Sequence, residues 1–175
     1  MWWFIVTDGL LFAGFIASYG YARILAFHWP DQAVVFSLTY IAAMTFVLIT
    51  SSATMASAVR AAKDGKPREA LKYVMLTALG GIVFLGMQAY EWSHLIGEGA
   101  RLTHNPWGDA SFGAYFFLLT GFHGTHVLTG VVVLVSTAIR LAKSVSSTAG
   151  VEVAGLYWHF VDLVWVFIFT LFYLL

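Results

Sequence analysis

The sequence contains no cysteine. Without thiols the chain can form no disulfide bond, no iron–sulfur cluster, no covalently attached c-type haem and no thiolate zinc site. Charged residues are also scarce, at 10% of the 175 positions, where a soluble domain carries about 25%. The formal net charge is zero, so the composition gives no sign of a nucleic-acid partner. These shortages favour a chain that is surrounded by an apolar medium.

Hydrophobic residues make up 60% of the chain and are gathered in long segments with short polar connections. A helix needs about 20 apolar residues to cross the hydrocarbon core of a bilayer. Five segments meet that length, and none alternates polar and apolar residues as a half-buried strand would. They are predicted at residues 1–25, 33–59, 71–97, 112–142 and 155–175. The sequence therefore predicts an all-α integral membrane protein with a single domain of five transmembrane helices.

Lysine and arginine are unevenly distributed between the two ends of the predicted helices. Cytoplasmic loops of membrane proteins carry the excess of these residues. Two of them, Arg23 and Arg101, lie at one set of helix ends. The other seven flank the second and fourth loops: Arg60, Lys63, Lys66, Arg68, Lys72, Arg140 and Lys143. We therefore expect a cytoplasmic N-terminus and an outer C-terminus. The first segment starts without basic residues, so we also expect it to remain a helix rather than be removed as a signal peptide.

Several polar or ionisable side chains fall inside the predicted spans. Such groups are costly in lipid, so they usually face protein and pair with one another. Asp8 lies roughly 10 Å into the first helix at 1.5 Å per residue. The others recur at a spacing of three residues, which brings neighbours to one side of a helix: Gln88, Glu91 and His94, then His123 and His126, then His159 and Asp162. We expect these side chains to be buried and structural.

Helical rise predicts how these side chains meet. Glu91 is expected to pair with His123, and His126 is expected to join His159 and Asp162 nearer the cytoplasmic side. Our main interpretation is a hydrogen-bonded polar core that joins the helices. Two alternatives stay open: a bis-histidine haem between His123 or His126 and His159, and a proton relay, because imidazole titrates near neutral pH. No fuller set of metal ligands appears in the sequence.

Four motifs run through the chain from its first predicted helix to its last. They are Val6–Phe15 (VTDGLLFAGF), Gln88–Trp92 (QAYEW), Phe116–Gly130 (FFLLTGFHGTHVLTG) and Tyr157–Trp165 (YWHFVDLVW). In this order they resemble segments of subunit III of the haem-copper terminal oxidases, the cytochrome c and quinol oxidases. Many members of that family have seven helices, so the chain resembles a short form without the first two. Asp8 stands where the family usually has a glutamate.

The resemblance implies a non-catalytic subunit that holds no metal or cofactor of its own. Haem and copper are then expected in the partner subunits. The expected partners are subunit I and subunit II, in a hetero-oligomeric complex that can itself belong to a respiratory supercomplex. The implied role is to support assembly, stability and sustained proton uptake during aerobic respiration, in the inner membrane of a bacterium. Bound phospholipid is implied too, although the lipid-filled cleft of longer members uses the two helices that are missing here.

The same resemblance implies that Asp8 is the carboxylate with a proton-related role. Other assignments remain open beside the respiratory oxidase. One is an accessory protein of another membrane complex, such as a nitric-oxide reductase or an alternative quinol-oxidising complex. Another, from a different class, is a small b-type cytochrome with His123 or His126 and His159 as haem ligands.

Overall fold

The computed structural model describes residues 1–143 and 147–174. Five long apolar helices, each able to cross a bilayer by its length and composition, dominate the described part. In chain order the elements are α1 (Trp2–Leu25), the single turn α2 (Gln32–Val35), α3 (Leu38–Lys63), α4 (Pro67–Gly97), α5 (Ala110–Ala142) and α6 (Thr148–Ile168), which continues as a π-helical segment, Phe169–Leu174. The predicted all-α, five-helix membrane architecture is confirmed.

Three helices begin four or more residues from their predicted starts, and for α4 the start is Pro67 rather than residue 71. α6 begins at Thr148 rather than near residue 155, because the Ser147 side chain accepts a hydrogen bond from Gly150 N and caps an earlier turn. α3 begins at Leu38 rather than near residue 33, because the residues before it form the separate turn α2. In that turn the backbone N–H groups of Val34 and Val35 donate to the carbonyl of Asp31. The last residue of the predicted fifth span, Leu175, lies outside the described residues.

Four of the helices close into a ring. α3 packs on α4, α4 on α5, α5 on α6, and α6 returns to α3, while α1 lies outside the ring against α5 and α6. Trp158 of α6 lies at the centre, where a Cβ on Gly81 of α4 would come within 2.5 Å of its ring and one on Gly130 of α5 within 2.9 Å. Its Nε1 donates to Ser51 Oγ of α3 at 3.0 Å. Such close contacts are what hold helices together in lipid.

The segments that connect the helices contact one another in pairs, one pair at each end of the bundle. At one end Thr148 Oγ1 donates to the carbonyl of Ala62 at 3.3 Å, and Lys63 Nζ lies 2.9 Å from Glu152 Oε1. At the other end Asp109 N donates to the carbonyl of His28 at 3.1 Å. The α3–α4 and α5–α6 connections, which carry most of the lysine and arginine, therefore share one end of the molecule.

Candidate functional site

Asp8 of α1 and His126 of α5 form a carboxylate–imidazole pair inside the bundle. Asp8 Oδ1 lies 3.3 Å from His126 Nε2, and the two side chains are 10% and 14% exposed. The second ring nitrogen, Nδ1, lies 2.8 Å from the carbonyl of Phe122. A carbonyl only accepts hydrogen bonds, so Nδ1 carries a proton and Nε2 is left to face the carboxyl group.

This tautomer places one exchangeable proton between the two side chains. If the imidazole is neutral, Nε2 is an acceptor and Asp8 must be the protonated donor. If the imidazole is charged, Nε2 donates to an ionised Asp8. The pair has the same overall charge, zero, in both arrangements. It can therefore hold a proton in a low-dielectric interior without placing a net charge there, which is otherwise costly.

Aromatic side chains surround the pair. The rings of Phe12 and Phe122 lie 5.5 Å and 4.7 Å from the ring of His126, measured between centroids. Tyr157 Oη donates to the backbone carbonyl of His126 at 3.0 Å, which ties α6 to α5 at this point. Asp8 Oδ2 has no hydrogen-bond partner among residues 1–143 and 147–174. A buried oxygen without a donor is unfavourable, so Oδ2 can accept a hydrogen bond from a donor outside the described residues.

His123, one turn before His126, is enclosed by rings rather than by polar groups. Its exposed fraction is 0%. The ring of Phe84 lies perpendicular to it at 5.7 Å, and the ring of Trp165 lies at 5.2 Å with an interplanar angle of 31°. Neither ring nitrogen has a hydrogen-bond partner in the part of the chain that the structure describes. His123 therefore contributes ring packing between α4, α5 and α6.

The predicted pairing of Glu91 with His123 is wrong. Glu91 Oε2 instead accepts a hydrogen bond from Tyr173 Oη at 3.2 Å, so α4 is joined to the π-helical segment at the chain's end. Helical rise gives the depth of a side chain but not its rotation about the helix axis. His123 is rotated towards Phe84 and Trp165, and the sequence carried no sign of Tyr173 as the partner beyond its position near the end of an apolar span.

The predicted cluster of His126, His159 and Asp162 is wrong for His126, whereas His159 and Asp162 do interact and Ser52 of α3 contacts both. His126 is engaged by Asp8, whereas His159 Nδ1 lies 2.6 Å from Ser52 Oγ of α3. Asp162 Oδ1 is buried and has no hydrogen-bond partner within the described chain. Ser52 was missed because single serines in spans are common; its signal is the adjacent pair Ser51-Ser52 inside an apolar segment.

Gln88 and His94 share a helix with Glu91 but lie in different surroundings. Gln88 is buried, and its Nε2 donates to the carbonyl of Thr120 at 2.6 Å, which joins α4 to α5. His94 is not buried as predicted: its side chain is 59% exposed, and Nε2 lies 3.7 Å from Glu98 Oε1. Six residues turn a helix through about 600°, so His94 is rotated by about 120° from Gln88.

These contacts bear on the haem alternative. His126 uses both ring nitrogens, His159 has its Nδ1 against Ser52, and His123 is packed between two rings. A haem would have to replace those contacts. Among the described residues there is also no group of three or more His, Cys, Asp or Glu that could hold a metal ion. The arrangement is suited to joining helices and to holding a proton.

Comparisons with known proteins agree with the motifs. A family model described as cytochrome c oxidase subunit III matches residues 1–175. Cytochrome c oxidase subunit 3 of Alkalihalophilus pseudofirmus is 33% identical over 99% of this chain and 84% of the relative. Quinol oxidase subunit 3 of Bacillus spizizenii is 33% identical over the same shares, 99% and 84%. Cytochrome c oxidase subunit 3 of Corynebacterium diphtheriae is 35% identical over 97% and 83%. The chain belongs to the cytochrome c oxidase subunit III family.

Proposed function

We propose that this chain is the non-catalytic third subunit of a bacterial haem-copper respiratory oxidase. Its relatives are named as subunits of cytochrome c oxidases and of quinol oxidases, so an oxidase of one of these kinds is the expected complex. The haem and copper centres belong to the partner subunits I and II, and this chain supports their assembly, their stability and the sustained supply of protons. It crosses the bacterial inner membrane with its N-terminus in the cytoplasm.

The observation that carries the proton role is the pair formed by Asp8 and His126. The two side chains share one exchangeable proton, and Asp8 keeps a buried oxygen free of partners among the described residues. The shared proton can move between Asp8 and His126 without changing the net charge of the pair, so the pair holds it at little electrostatic cost. The pair lies between the peripheral helix α1 and the ring of four helices, where a partner subunit can approach.

The supporting role rests on the polar contacts between helices. Trp165 Nε1 donates to Thr45 Oγ1 at 3.0 Å, and Trp158 Nε1 donates to Ser51 Oγ at the same distance. Gln88 joins α4 to α5 in the same way. Hydrogen bonds of this kind between spanning helices each contribute about 0.6 kcal/mol on average. Together with close packing they give a rigid surface for a partner to bind.

Purification of the complex tests this proposal. The chain is tagged in its native membrane, solubilised in mild detergent and isolated with the subunits that remain bound. We expect partner subunits that contain haem and copper, and an absorption spectrum of haem that stays with those partners when this chain is dissociated. Haem that remains with the isolated chain would instead support a b-type cytochrome. A haem-containing partner without copper would point to a nitric-oxide reductase or another quinol-oxidising complex.

A further inference from the structure

A cleft of about 280 Å³ opens between the N-terminal end of α3 and the C-terminal end of α4. Ser37 and Tyr40 line one side of it, and Tyr90, Glu91 and His94 line the other. Tyr90 is 62% exposed and the His94 side chain 59% exposed, whereas Glu91 is 7% exposed. The cleft, which we call the Glu91 cleft, therefore connects the surface of the bundle with a buried carboxyl group.

The Glu91 cleft lacks a positive charge to balance that carboxyl group. Its lining includes no lysine or arginine. Glu91 forms no ion pair with the basic residues that the structure describes, and His94 faces Glu98 instead. The hydrogen bond from Tyr173 Oη to Glu91 Oε2 supplies a donor but no charge. Burial without a nearby cation favours the neutral form of the Glu91 carboxyl group, and a cationic ligand would favour its ionised form.

The other side chains of the cleft are suited to an ammonium group. The rings of Tyr40 and Tyr90 lie 5.8 Å apart at the mouth, and tyrosine rings attract cations. Tyr40 Oη donates to the carbonyl of Met87 at 2.9 Å, so its own lone pairs remain available as acceptors. A primary ammonium offers three hydrogen-bond donors. The carboxylate, the tyrosine oxygen and the Ser37 hydroxyl are acceptors for such a group.

The depth of the cleft identifies where the ammonium comes from. Glu91 lies roughly 9 Å below the end of α4 at Gly97, at 1.5 Å per residue. Ser37 immediately precedes α3 at the same end of the bundle. The helix ends lie at the level of the lipid headgroups, which border a hydrocarbon core about 30 Å thick. Tyr90 lines the cleft and is exposed at the side of the bundle, so a headgroup can enter from the plane of the membrane.

We propose that the Glu91 cleft binds the headgroup of an ethanolamine phospholipid, with Glu91 as the counter-ion of its primary ammonium. The inference rests on the proposed function in one respect, because the membrane setting of that function supplies the phospholipid. A choline headgroup would contact the tyrosine rings but donate no hydrogen bond to Glu91. An anionic headgroup would be repelled. The lipid therefore stabilises the outer-end contact of α3 and α4 by neutralising the buried acid.

Lipid binding to the purified complex tests the proposal. Delipidated wild-type complex and the Glu91→Gln variant are titrated with phosphatidylethanolamine, phosphatidylcholine and phosphatidylglycerol in detergent, and bound lipid is counted by native mass spectrometry. Glutamine keeps an acceptor for Tyr173 but removes the charge. We expect the wild type to prefer phosphatidylethanolamine and Glu91→Gln to bind it about tenfold more weakly, the factor given by 1.4 kcal/mol. Glu98→Gln, an exposed acid near the same helix end, is the matched control and should bind normally.

A second pair of variants keeps the test decisive if Glu91→Gln folds poorly. Ser37→Trp fills the mouth of the cleft at an exposed position whose side chain makes no capping hydrogen bond, so it should also abolish the preference. Ser93→Trp, exposed on α4 but outside the cleft, should not. Equal binding of the three lipids by the wild type, or unchanged binding in both Glu91→Gln and Ser37→Trp, overturns the proposal. Neither result alters the identity of the copurifying subunits, on which the proposed function depends.

A carbodiimide identifies the amine directly. The carbodiimide adds to the carboxyl group and activates it, and an adjacent primary amine then forms an amide with the activated group. The carbodiimide takes up the elements of water that amide formation releases and leaves as a urea. We expect an amide between Glu91 and phosphatidylethanolamine in the native complex, detected on the peptide that contains Glu91. An amide between Glu91 and a lysine of another subunit, or the absence of a lipid adduct, contradicts the proposal.

Discussion

His123 and His126 are one helical turn apart and perform different tasks. His126 shares a proton with Asp8, whereas His123 packs against the rings of Phe84 and Trp165 without a polar partner in the described chain. The same residue type is thus used once for its nitrogens and once for its ring. Packed aromatic pairs contribute about 0.5–1.5 kcal/mol beyond the area they bury, so the contacts of His123 matter to stability even though they are not hydrogen bonds.

Replacing His123 by leucine should lower the amount of assembled complex more than the turnover of each complex that does assemble. Leucine loses the ring contact with Trp165, and shape changes of this kind in a packed core cost about 1–3 kcal/mol. His123→Phe keeps a ring and should assemble better than His123→Leu. Haem per milligram of membrane measures assembly, and oxygen consumption per haem measures turnover. Full assembly of His123→Leu with abolished electron transfer would falsify the packing role.

Asp109 is the residue for which a pH dependence follows outside the spans. Its side chain accepts a hydrogen bond from Ser111 N at 2.8 Å at the start of α5, and this bond holds the pKa of Asp109 below its usual value. A lowered pKa means that the ionised acid stabilises the folded state above the unfolded pKa of about 3.9. That contribution is lost as the pH falls through the lower, folded pKa.

Asp109→Ala should therefore reduce the free energy of unfolding by about 1 kcal/mol at neutral pH, the usual cost of removing an N-terminal cap. The difference in the free energy of unfolding between wild type and Asp109→Ala should shrink when the pH falls below the pKa of a free aspartic acid side chain, about 3.9. Asp109→Asn is the control, because asparagine caps a helix at any pH. Thermal unfolding in detergent across this pH range measures the effect, and a difference that grows on acidification would contradict the cap assignment.

At the scale of the helices, Trp158 connects α6 with each of the other members of the ring. Its ring lies against Gly81 of α4 and Gly130 of α5, and its Nε1 donates to Ser51 of α3. These glycines have ordinary helical backbones; their value is the missing Cβ, which lets the indole approach. Gly86, on the same helix as Gly81, has open space around it instead. The two positions on α4 therefore form a matched pair.

Gly81→Val should destabilise the bundle, because even a Cβ at this position would lie 2.5 Å from Trp158. Overpacking of a core typically costs about 1–3 kcal/mol. Gly86→Val should leave stability nearly unchanged, since nothing lies within 4 Å of its Cβ. The midpoint of thermal unfolding in detergent, followed by circular dichroism, compares the two variants. Equal midpoints would show that the close approach of Trp158 to α4 is not needed.

At the scale of the whole molecule, the number and type of helices could be predicted from the sequence because the thickness of the bilayer fixes their length. The rotation of each helix could not, because apolar residues cover all faces of a helix in lipid and mark no inner side. This is why the depths of Glu91 and His123 were predicted, while their partners Tyr173 and Trp165 were not. The burial of Asp8 was predicted and is confirmed, its proton-related role stays a prediction, and its partner His126 was missed for the same reason.

The orientation in the membrane is a property of the whole molecule that the absence of cysteine makes easy to measure. Single cysteines at Lys66 and Lys143 report on the basic end of the bundle, and one at Arg101 reports on the opposite end. We expect a membrane-impermeant maleimide, added to intact cells, to label only the cysteine at position 101. Labelling of the other two positions before the membrane is opened would reverse the assigned orientation.

We propose that the shared proton of Asp8 and His126 sustains proton uptake by the complex. Asp8→Asn tests it most directly, because the amide can still donate to a neutral His126 Nε2 but cannot exchange a proton. Proton uptake and oxygen consumption are followed in the purified complex from the first turnovers until activity is lost. We expect near-normal assembly and initial turnover, followed by slower proton uptake and an earlier loss of activity than in the wild type. Unchanged proton uptake and an unchanged working lifetime would contradict it.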